Sequence, residues 1–351
     1  MRVGCTRVQR QGLLGMPVSI KDIARTAGVS HSTVSRALRD SPLISSETKA
    51  RIQRLADEMG YAPSALGRGL VTRRSGTVGL VVTTIADPFV AEIVRGIEET
   101  ALTVQYNAIL CNSNSEPERE LKTVRALREK RVDAVIVTSS RLGSLYLAHL
   151  REIGVPIVLI NNQRDGAYTH SVLIDDLRGG ELAGEYLASL GHREIAYVTG
   201  PIWAHASGKR LEGCRRALQR HGLSLPTERV LVGNGRPDGG VEAAEEILRR
   251  SLPVTAVFCY NDQTALGLLS ALHRAGRQVP EDLSVIGYDD VAMAAYLVPP
   301  LTTIAQPTYA LGRRAMEMAL ALIEGDENVR DVVLTPTLVK RESCARVGGE
   351  V

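Results

Sequence analysis

Apolar residues between positions 19 and 38 recur with the 3.6-residue period of two short amphipathic helices. The apolar face of the first helix consists of Ile20, Ile23, Ala24 and Ala27. The second helix buries Val34, Ala37 and Leu38 and presents His31, Ser32, Ser35 and Arg36 on its other side. Gly28 separates the two helices, and Ser30 precedes the second as an N-cap. This pattern is typical of a helix-turn-helix, although an ordinary helical hairpin with a solvated polar face has the same periodicity.

A third helix completes a small helical domain. Its N-terminus is at Ser45–Glu47, and its apolar stripe contains Ile52, Leu55, Ala56 and Met59. Gly60 closes the helix and Pro63 prevents its simple continuation. We therefore predict a helical domain at residues 18–63.

Residues 64–75 have the composition of a hinge. Gly67 and Gly69 each disfavour a helix by about 1 kcal/mol relative to alanine. Leu70 is an apolar side chain in this basic linker. Either it packs on the next domain, or it inserts between base steps in the minor groove of DNA.

From Thr77 onwards, short apolar runs alternate with stretches of helical periodicity. The first set of runs occupies residues 78–82, 108–111, 134–137 and 157–160, and the second occupies 195–198, 230–232, 256–259 and 285–287. Continuous apolar strands that alternate with helices predict parallel sheets covered on both faces. Two successive sets predict an α/β core of two doubly wound lobes, with a seam near residues 161–173.

Charge is distributed unevenly along the chain. The formal net charge is +3, but residues 1–75 contain thirteen Lys and Arg against five Asp and Glu. The first 75 residues therefore carry +8 and the remainder −5. A basic front on an acidic body indicates a polyanionic partner for the helical domain alone, since a merely solvated basic face does not explain the asymmetry.

The five cysteines lie far apart and lack metal-ligand spacing. They fit reduced thiols in the cytoplasm better than a disulfide framework or a zinc site. No apolar run reaches the roughly 18 residues of a membrane span, and residues 1–16 lack the apolar centre of a signal peptide. We expect residues 1–16 to be a disordered extension, or the product of an upstream start with Met16 as the natural one.

Polar side chains follow most of the predicted strands, where ligands of doubly wound sheets bind. They include Asp87, Asn161, Asn261, Asp262 and Asp289. Amides, carboxylates and hydroxyls suit a polyhydroxy ligand or another small metabolite, with Phe89 or Trp203 to stack on its apolar face. Any one of these Asn or Asp residues could instead simply cap the following helix. The sequence has no catalytic elbow, P-loop, zinc-protease motif or complete dinucleotide fingerprint, so we expect neither an enzyme nor a bound cofactor or metal.

Several stretches resemble the lactose/galactose-repressor (LacI/GalR) family. They are residues 20–38, Gly60–Ala65, Gly191–Ile195, Asn261–Gly267, Val285–Asp290 and Pro300–Pro307, in order and in register. The resemblance covers roughly residues 18–343. It implies a dimeric transcriptional regulator, most commonly a repressor, with a helix-turn-helix DNA-binding domain. It also implies a two-lobed, type I periplasmic-binding-protein-like core at 76–345, in which the chain crosses back between lobes near 291–308 and again near 335.

Site residues follow from the resemblance position by position. His31, Ser32 and Arg36 match base-reading positions, and Leu70 matches the hinge leucine, which favours the minor-groove wedge. Phosphate-contacting positions are matched by Ser19, Thr33, Ser35, Arg39 and Ser45. Effector-contacting positions in the cleft are matched by Asn161, Arg210, Asn261 and Asp289, to which the strand-end analysis adds Asp87, Phe89 and Trp203. The implied partners are a pseudo-palindromic operator, a small-molecule effector such as a sugar, and a second copy of the chain.

The chain departs from the family pattern in places. An aromatic residue that many relatives place in the cleft is replaced near Asn234–Arg236, so Phe89 or Trp203 would support the effector instead. The tail after Ser343 has no leucine heptad, so we expect a dimer without a tetramerising coiled coil. A periplasmic solute-binding protein shares the core fold but would need an export signal and no basic front domain.

Overall fold

The structure is a computed structural model that describes residues 18–61, 74–140, 154–161 and 170–348. The chain divides into two compact units, Met1–Arg73 and Arg74–Val351. The predicted extension at 1–16 and most of the predicted hinge, including Leu70, lie outside the described residues. In the part of the chain that is described, no helix combines the length and apolar character that crossing a membrane requires.

The described part of the first unit, residues 18–61, contains three helices: α1 (Ile20–Ala27), α2 (His31–Leu38) and α3 (Ser46–Glu58). Their apolar stripes meet in one core, in which Ile23, Val34 and Ile52 are fully buried. Gly28 ends α1 in the left-handed region with φ +63°, and the Ser30 hydroxyl accepts the Thr33 N–H at 3.1 Å to begin α2. The predicted three-helix arrangement is therefore observed.

The second unit has two six-stranded sheets. The first sheet contains β1 (Thr77–Val82), β2 (Asn107–Asn112), β3 (Ala134–Thr138), β4 (Ile157–Ile160), β5 (Ser171–Ile174) and β11 (Val332–Leu334). The second contains β6 (Ile195–Val198), β7 (Val230–Leu231), β8 (Ala256–Cys259), β9 (Ser284–Asp289), β10 (Thr302–Ala305) and β12 (Thr337–Val339). Among the described residues, the helices that pack on these sheets are α4 (Pro88–Thr103), α5 (Pro117–Glu129), α6 (Asp176–Ser189), α7 (His205–Arg220), α8 (Pro237–Arg249), α9 (Asp262–Arg274) and α10 (Thr308–Glu324).

Both sheets have the doubly wound strand order. The orders are β11-β5-β4-β3-β1-β2 and β12-β10-β9-β8-β6-β7, and every described pairing is parallel except β10 with β12. In each order the winding reverses beside the first strand of its sheet, between β1 and β3 and between β6 and β8. Such reversal points open a crevice at the carboxyl ends of the strands.

The chain passes between the two sheets three times. It leaves the first sheet after Ile174, just beyond the predicted seam at 161–173, because Ser171–Ile174 is still paired with β4. It returns after Ala305 and crosses once more between Leu334 and Thr337. Each lobe therefore contains segments that are distant in sequence.

Three helix pairs pack unusually closely through glycine on both members. The pairs are α4 with α10 at Gly96 and Gly312, α6 with α7 at Gly180 and Gly213, and α8 with α9 at Gly240 and Gly267. In every case a Cβ on the glycine would collide with a backbone carbonyl oxygen of the partner helix. Because backbone cannot move aside as a flexible side chain can, these positions require glycine.

We predict that Gly213→Ala lowers the free energy of unfolding by about 1 to 3 kcal/mol, because the added methyl group meets Leu177 O across the α6–α7 contact. Gly208→Ala is the matched control, since Gly208 lies on the same helix with nothing near its Cβ position. The control should be unchanged or more stable by up to about 1 kcal/mol through helix propensity. Urea unfolding of both variants measures the difference, and equal stability would contradict the packing argument.

Candidate functional site

The first unit presents a polar face at the start of α2. His31, Ser32 and Arg36 are exposed, whereas Thr33 and Ser35 are half-buried. Arg39 directs Nη2 to the Ser35 hydroxyl at 2.9 Å, so these two side chains form a connected pair on one helix face. The structure therefore brings His31, Ser32 and Arg36, the predicted base-reading residues, onto an accessible surface of one helix.

Two of the predicted phosphate-contacting serines, Ser19 and Ser45, lie at helix N-termini. Ser19 precedes α1, and both its backbone N–H and its hydroxyl donate to Asp22, at 3.0 and 2.6 Å. These hydrogen bonds lower the pKa of the Asp22 carboxyl. Ser45 precedes α3, and its hydroxyl accepts the Thr48 N–H. Helix N-termini expose unpaired backbone N–H groups, which suit phosphate oxygens.

In the second unit, candidate residues collect where the strands of the two sheets end. Asp87 follows β1, Asn161 follows β4, Asn261 follows β8, and Asp289 is the last residue of β9. The Asp87 carboxyl of the first lobe contributes to the raised pKa of Asp289 in the second lobe. The two carboxyl groups, one from each lobe, therefore interact electrostatically.

Arg210 is almost completely buried in this site, with 4% of its surface exposed. Its Nε donates to Asp176 Oδ1 at 2.8 Å and its Nη1 to the Tyr260 carbonyl oxygen at 2.6 Å. Its guanidinium carbon lies 3.5 Å from the centre of the Tyr288 ring, and Tyr288 also donates to Asp176 Oδ1 at 3.1 Å. Burial opposes the charged form, but Asp176, Tyr288, Tyr260 and Asp289 together outweigh burial and raise the Arg210 pKa well above its ordinary value. Nη2 carries two further N–H donors.

Asp289 is buried beside Arg210 and has an unusual backbone conformation, with φ +114°. Gln306 Nε2 donates to its Oδ1 at 2.7 Å. Burial raises the pKa of the Asp289 carboxyl, and the positive charge of Arg210 opposes this rise. The Gln306 Oε1 atom is buried without a hydrogen-bond partner among the described residues. A buried acceptor of this kind is satisfied when a ligand donates to it.

Two predicted effector residues cap helices, which was the structural alternative considered for them. Asp87 Oδ1 accepts the Phe89 N–H at 3.0 Å at the start of α4. Asn261 Oδ1 accepts from the Thr264 N–H and hydroxyl at the start of α9, and its Nδ2 donates to the Gly235 carbonyl oxygen. An amide nitrogen has two N–H groups, so Asn261 keeps one donor for a ligand.

The other predicted cleft residues differ in their surroundings. Phe89 is half-buried and packs against the apolar core of the first lobe. Trp203 lies in the loop before α7 and is 38% exposed. Asn161 directly follows β4 and has φ +55°, and its Oδ1 is a second buried acceptor without a hydrogen-bond partner in the described part of the chain.

Sequence reasoning missed four residues that form the site: Asp176, Tyr260, Tyr288 and Gln306. Tyr260 and Gln306 directly follow strands β8 and β10, so the strand-end argument applied to them. It failed for Gln306 because Thr302–Ala305 is not a continuous apolar run and was not identified as a strand. Asp176 pairs with Arg210 across 34 residues, a distance over which the sequence gives no signal.

The described residues contain no group of three or more His, Cys, Asp or Glu side chains arranged to hold a metal ion. The cleft instead offers guanidinium N–H donors, carboxylate and amide acceptors, and aromatic faces. These groups suit a small ligand with several hydroxyl or N–H groups.

Comparison with known proteins finds matches for both units of the chain. The family model described as bacterial regulatory proteins, lacI family, matches residues 19–64, and the periplasmic binding protein-like domain matches 185–344. The HTH-type transcriptional repressor PurR of Vibrio vulnificus (strain CMCP6) is 36% identical over 335 residues, covering 94% of this chain and 99% of that protein. The ribose operon repressor of Escherichia coli (strain K12) is 36% identical over 329 residues, covering 93% and 99%.

A solved structure also matches almost the whole chain. The lac repressor dimer bound to operator and the anti-inducer ONPF matches with a TM-score of 0.86 at 27% identity, covering 94% of this chain and 100% of that one. The predicted combination of a helix-turn-helix domain with a two-lobed, periplasmic-binding-protein-like core is therefore confirmed.

We predict that Asp176→Ala lowers the free energy of unfolding by about 3 to 5 kcal/mol, because it leaves the Arg210 guanidinium buried without its carboxylate. The double variant Asp176→Ala/Arg210→Met should recover part of this loss, since it removes the uncompensated charge as well. Urea unfolding of the single and double variants measures the coupling. A double variant that is no more stable than Asp176→Ala would show that charge burial is not the cause.

Proposed function

The chain belongs to the LacI family of bacterial regulatory proteins, DNA-binding repressors that a small-molecule effector controls, and we propose how its two units divide that work. The helical unit reads an operator through α2, and the cleft of the second unit binds a small sugar. We assign the effector site to this cleft because Arg210 and Asp289 are both buried next to the ends of the strands. Under this proposal, the protein acts in the cytoplasm as a regulator and is not an enzyme.

Sequence reading falls to the exposed start of α2. Arg36 can donate two hydrogen bonds to the O6 and N7 atoms of a guanine, and His31 and Ser32 reach neighbouring base edges. Ser19, Thr33, Ser35, Arg39 and Ser45 would contact phosphates and fix the orientation of the unit on the duplex. Because Ser19 and Ser45 also stabilise helix N-termini, their hydroxyls are already ordered before DNA binds.

The effector class follows from the geometry of donors and acceptors. Asp289 can accept two hydroxyl groups, the Nη2 group of Arg210 can donate, and the unpartnered Oε1 of Gln306 can accept another donor. A sugar ring carries several hydroxyl groups, each of which can both donate and accept a hydrogen bond. The similarity to a ribose operon repressor makes D-ribose the first sugar to test, with cellobiose and adenosine as chemically distinct comparisons.

We further propose that a homodimer forms through an apolar surface of the second lobe. Met293, Tyr296 and Val298 lie close in sequence after β9, and the latter two are 83% and 94% exposed. Clustered exposed apolar side chains mark protein interfaces. A dimer would bring two helical units to the two halves of a pseudo-palindromic operator, and the hinge at 64–75, with Leu70 in the minor groove, would couple cleft to operator.

For the DNA interface, we predict that Arg36→Ala weakens binding to duplexes selected by the wild-type protein from a random library by about 10- to 100-fold. It should also relax base preference at one position of each half-site. Arg54→Ala is the control, because it removes the same charge from α3. Fluorescence anisotropy at two salt concentrations separates the effects, and equal losses in both variants would contradict base reading by Arg36.

For the cleft, we predict that Asp289→Asn weakens D-ribose binding by about 10-fold or more, because an amide cannot accept hydroxyl donors on both atoms. Operator affinity without sugar should stay near that of the wild type, since the substitution keeps the size of the side chain. Asp282→Asn, an exposed carboxylate that accepts the Gln278 N–H, is the control. Isothermal titration with ribose, cellobiose and adenosine identifies the effector class; unchanged affinity for the bound ligand would remove Asp289 from the site.

A further inference from the structure

We propose that Asp262 is a positioning residue of the effector site, whose buried carboxyl group fixes the turn that carries Asp289. This inference rests on the proposed function of the cleft. Asp262 is the first residue of α9, is 2% exposed, and does not need to touch the effector. It acts through the backbone of residues 289–291.

The Asp262 carboxyl group joins three separate elements. Its Oδ1 accepts the Thr303 hydroxyl at 2.6 Å, and its Oδ2 accepts the Val291 N–H at 2.9 Å. The start of α9, strand β10 and the turn after β9 are therefore held by one side chain. Two hydrogen bonds to a buried carboxylate are stronger than neutral ones and fix its orientation.

The turn needs such support because its backbone is unfavourable. Asp289 and Asp290 have φ values of +114° and +56°, in a region that side-chain-bearing residues rarely adopt. Conformations of this kind persist only where the surroundings hold them. Arg341 holds Asp290 at 2.7 Å and Gln306 holds Asp289, so the Asp262 contact secures the remaining, Val291, end of the turn.

The neighbouring sequence leaves room for this carboxyl group. Gly287 lies in β9 two residues before Asp289, and any Cβ there would collide with Asp262 Oδ1. A side chain at position 287 would displace the carboxyl group from the turn. Glycine is therefore needed at position 287 to leave space for the Asp262 carboxyl group, and not because the backbone there has a positive φ.

The position of Asp262 also affects the protonation of Asp289. Asp262 interacts electrostatically with Asp289, Asp290, Arg341 and the Cys259 thiol, and Asp289 interacts with Arg210, Asp87, Asp262, Tyr260 and Tyr288. Burial is the main cause of the raised pKa of Asp289, and the Asp262 carboxylate raises it further when ionised; burial also raises the pKa of Asp262 itself, to about 7. Removing that charge should therefore lower the pKa of Asp289 and move the acid limit of effector binding to lower pH.

Substitution of Asp262 by asparagine tests its positioning role separately from the effect of its charge. In Asp262→Asn, the amide oxygen can accept the Val291 N–H while the amide nitrogen donates to the Thr303 hydroxyl oxygen. The variant keeps both hydrogen bonds and loses only the charge. Asp262→Ala loses both, and Asp282→Asn controls for loss of a carboxylate elsewhere.

The experiment measures D-ribose affinity of the full-length chain by isothermal titration across the acidic to neutral pH range. We expect Asp262→Ala to bind ribose about tenfold more weakly, and Asp262→Asn to stay within about twofold of the wild type at neutral pH. The acid limit of binding in Asp262→Asn should lie at lower pH than in the wild type and in Asp282→Asn. A wild-type affinity in Asp262→Ala, or an unshifted pH limit in Asp262→Asn, would overturn the proposal.

Two measurements need no ligand and separate this inference from the proposed function. Hydrogen exchange at the Val291 amide should be faster in Asp262→Ala and unchanged in Asp262→Asn, and the carboxyl ¹³C titration of Asp289 should shift to lower pH in Asp262→Asn. If the wild type does not bind ribose, the proposed effector is wrong, and these two measurements still decide the role of Asp262. If Asp262→Ala does not fold, the carboxyl ¹³C titration of Asp289 can still be measured in Asp262→Asn, and it decides the role of Asp262.

Discussion

Burial of the Arg210 guanidinium is the interaction on which the organisation of the second lobe depends. A charge removed from water is tolerated only with a partner and with its donors satisfied. Asp176 at the start of α6, the Tyr260 carbonyl oxygen after β8 and the Tyr288 ring in β9 meet those requirements from three different elements. The position of Arg210 is therefore fixed before any ligand arrives, which is the preorganisation that a specific site requires.

Close helix packing makes this arrangement possible. Arg210 and Gly213 lie on α7, and Gly180 on α6 contacts the backbone of Arg210 itself. A side chain at position 180 would push α7 away from α6 and lengthen the Arg210–Asp176 contact. Stability and ligand recognition thus share one helix interface, so a packing change there alters both.

Sequence patterns predicted the parts of the fold that arise locally. The helix-turn-helix and the eight apolar runs follow from periodicity, and Gly28 and Ser30 follow from helix-end preferences. Strands β5, β10, β11 and β12 were not predicted, because they are short and partly polar and are defined by pairing with distant strands. The same limit applies to the site: Arg210 and Asp289 were identified, but Asp176 and Tyr288 join them only through tertiary contacts between residues far apart in the chain.

Several of the proposed effector-binding residues also form hydrogen bonds that hold the backbone, and this double role bears on the proposed regulation. Asp87 and Asn261 cap α4 and α9, while Gln306 stands between β10 and α10, where the chain returns to the first lobe. An effector that takes up a hydrogen bond of Gln306 therefore acts at a crossing between the lobes. Because the energy of that contact depends on the crossing's position, ligand binding and lobe geometry are thermodynamically linked. Placement of the proposed site at the crossings would then change the lobe geometry directly, and the proposed hinge at 64–75 would pass that change to the DNA-binding unit.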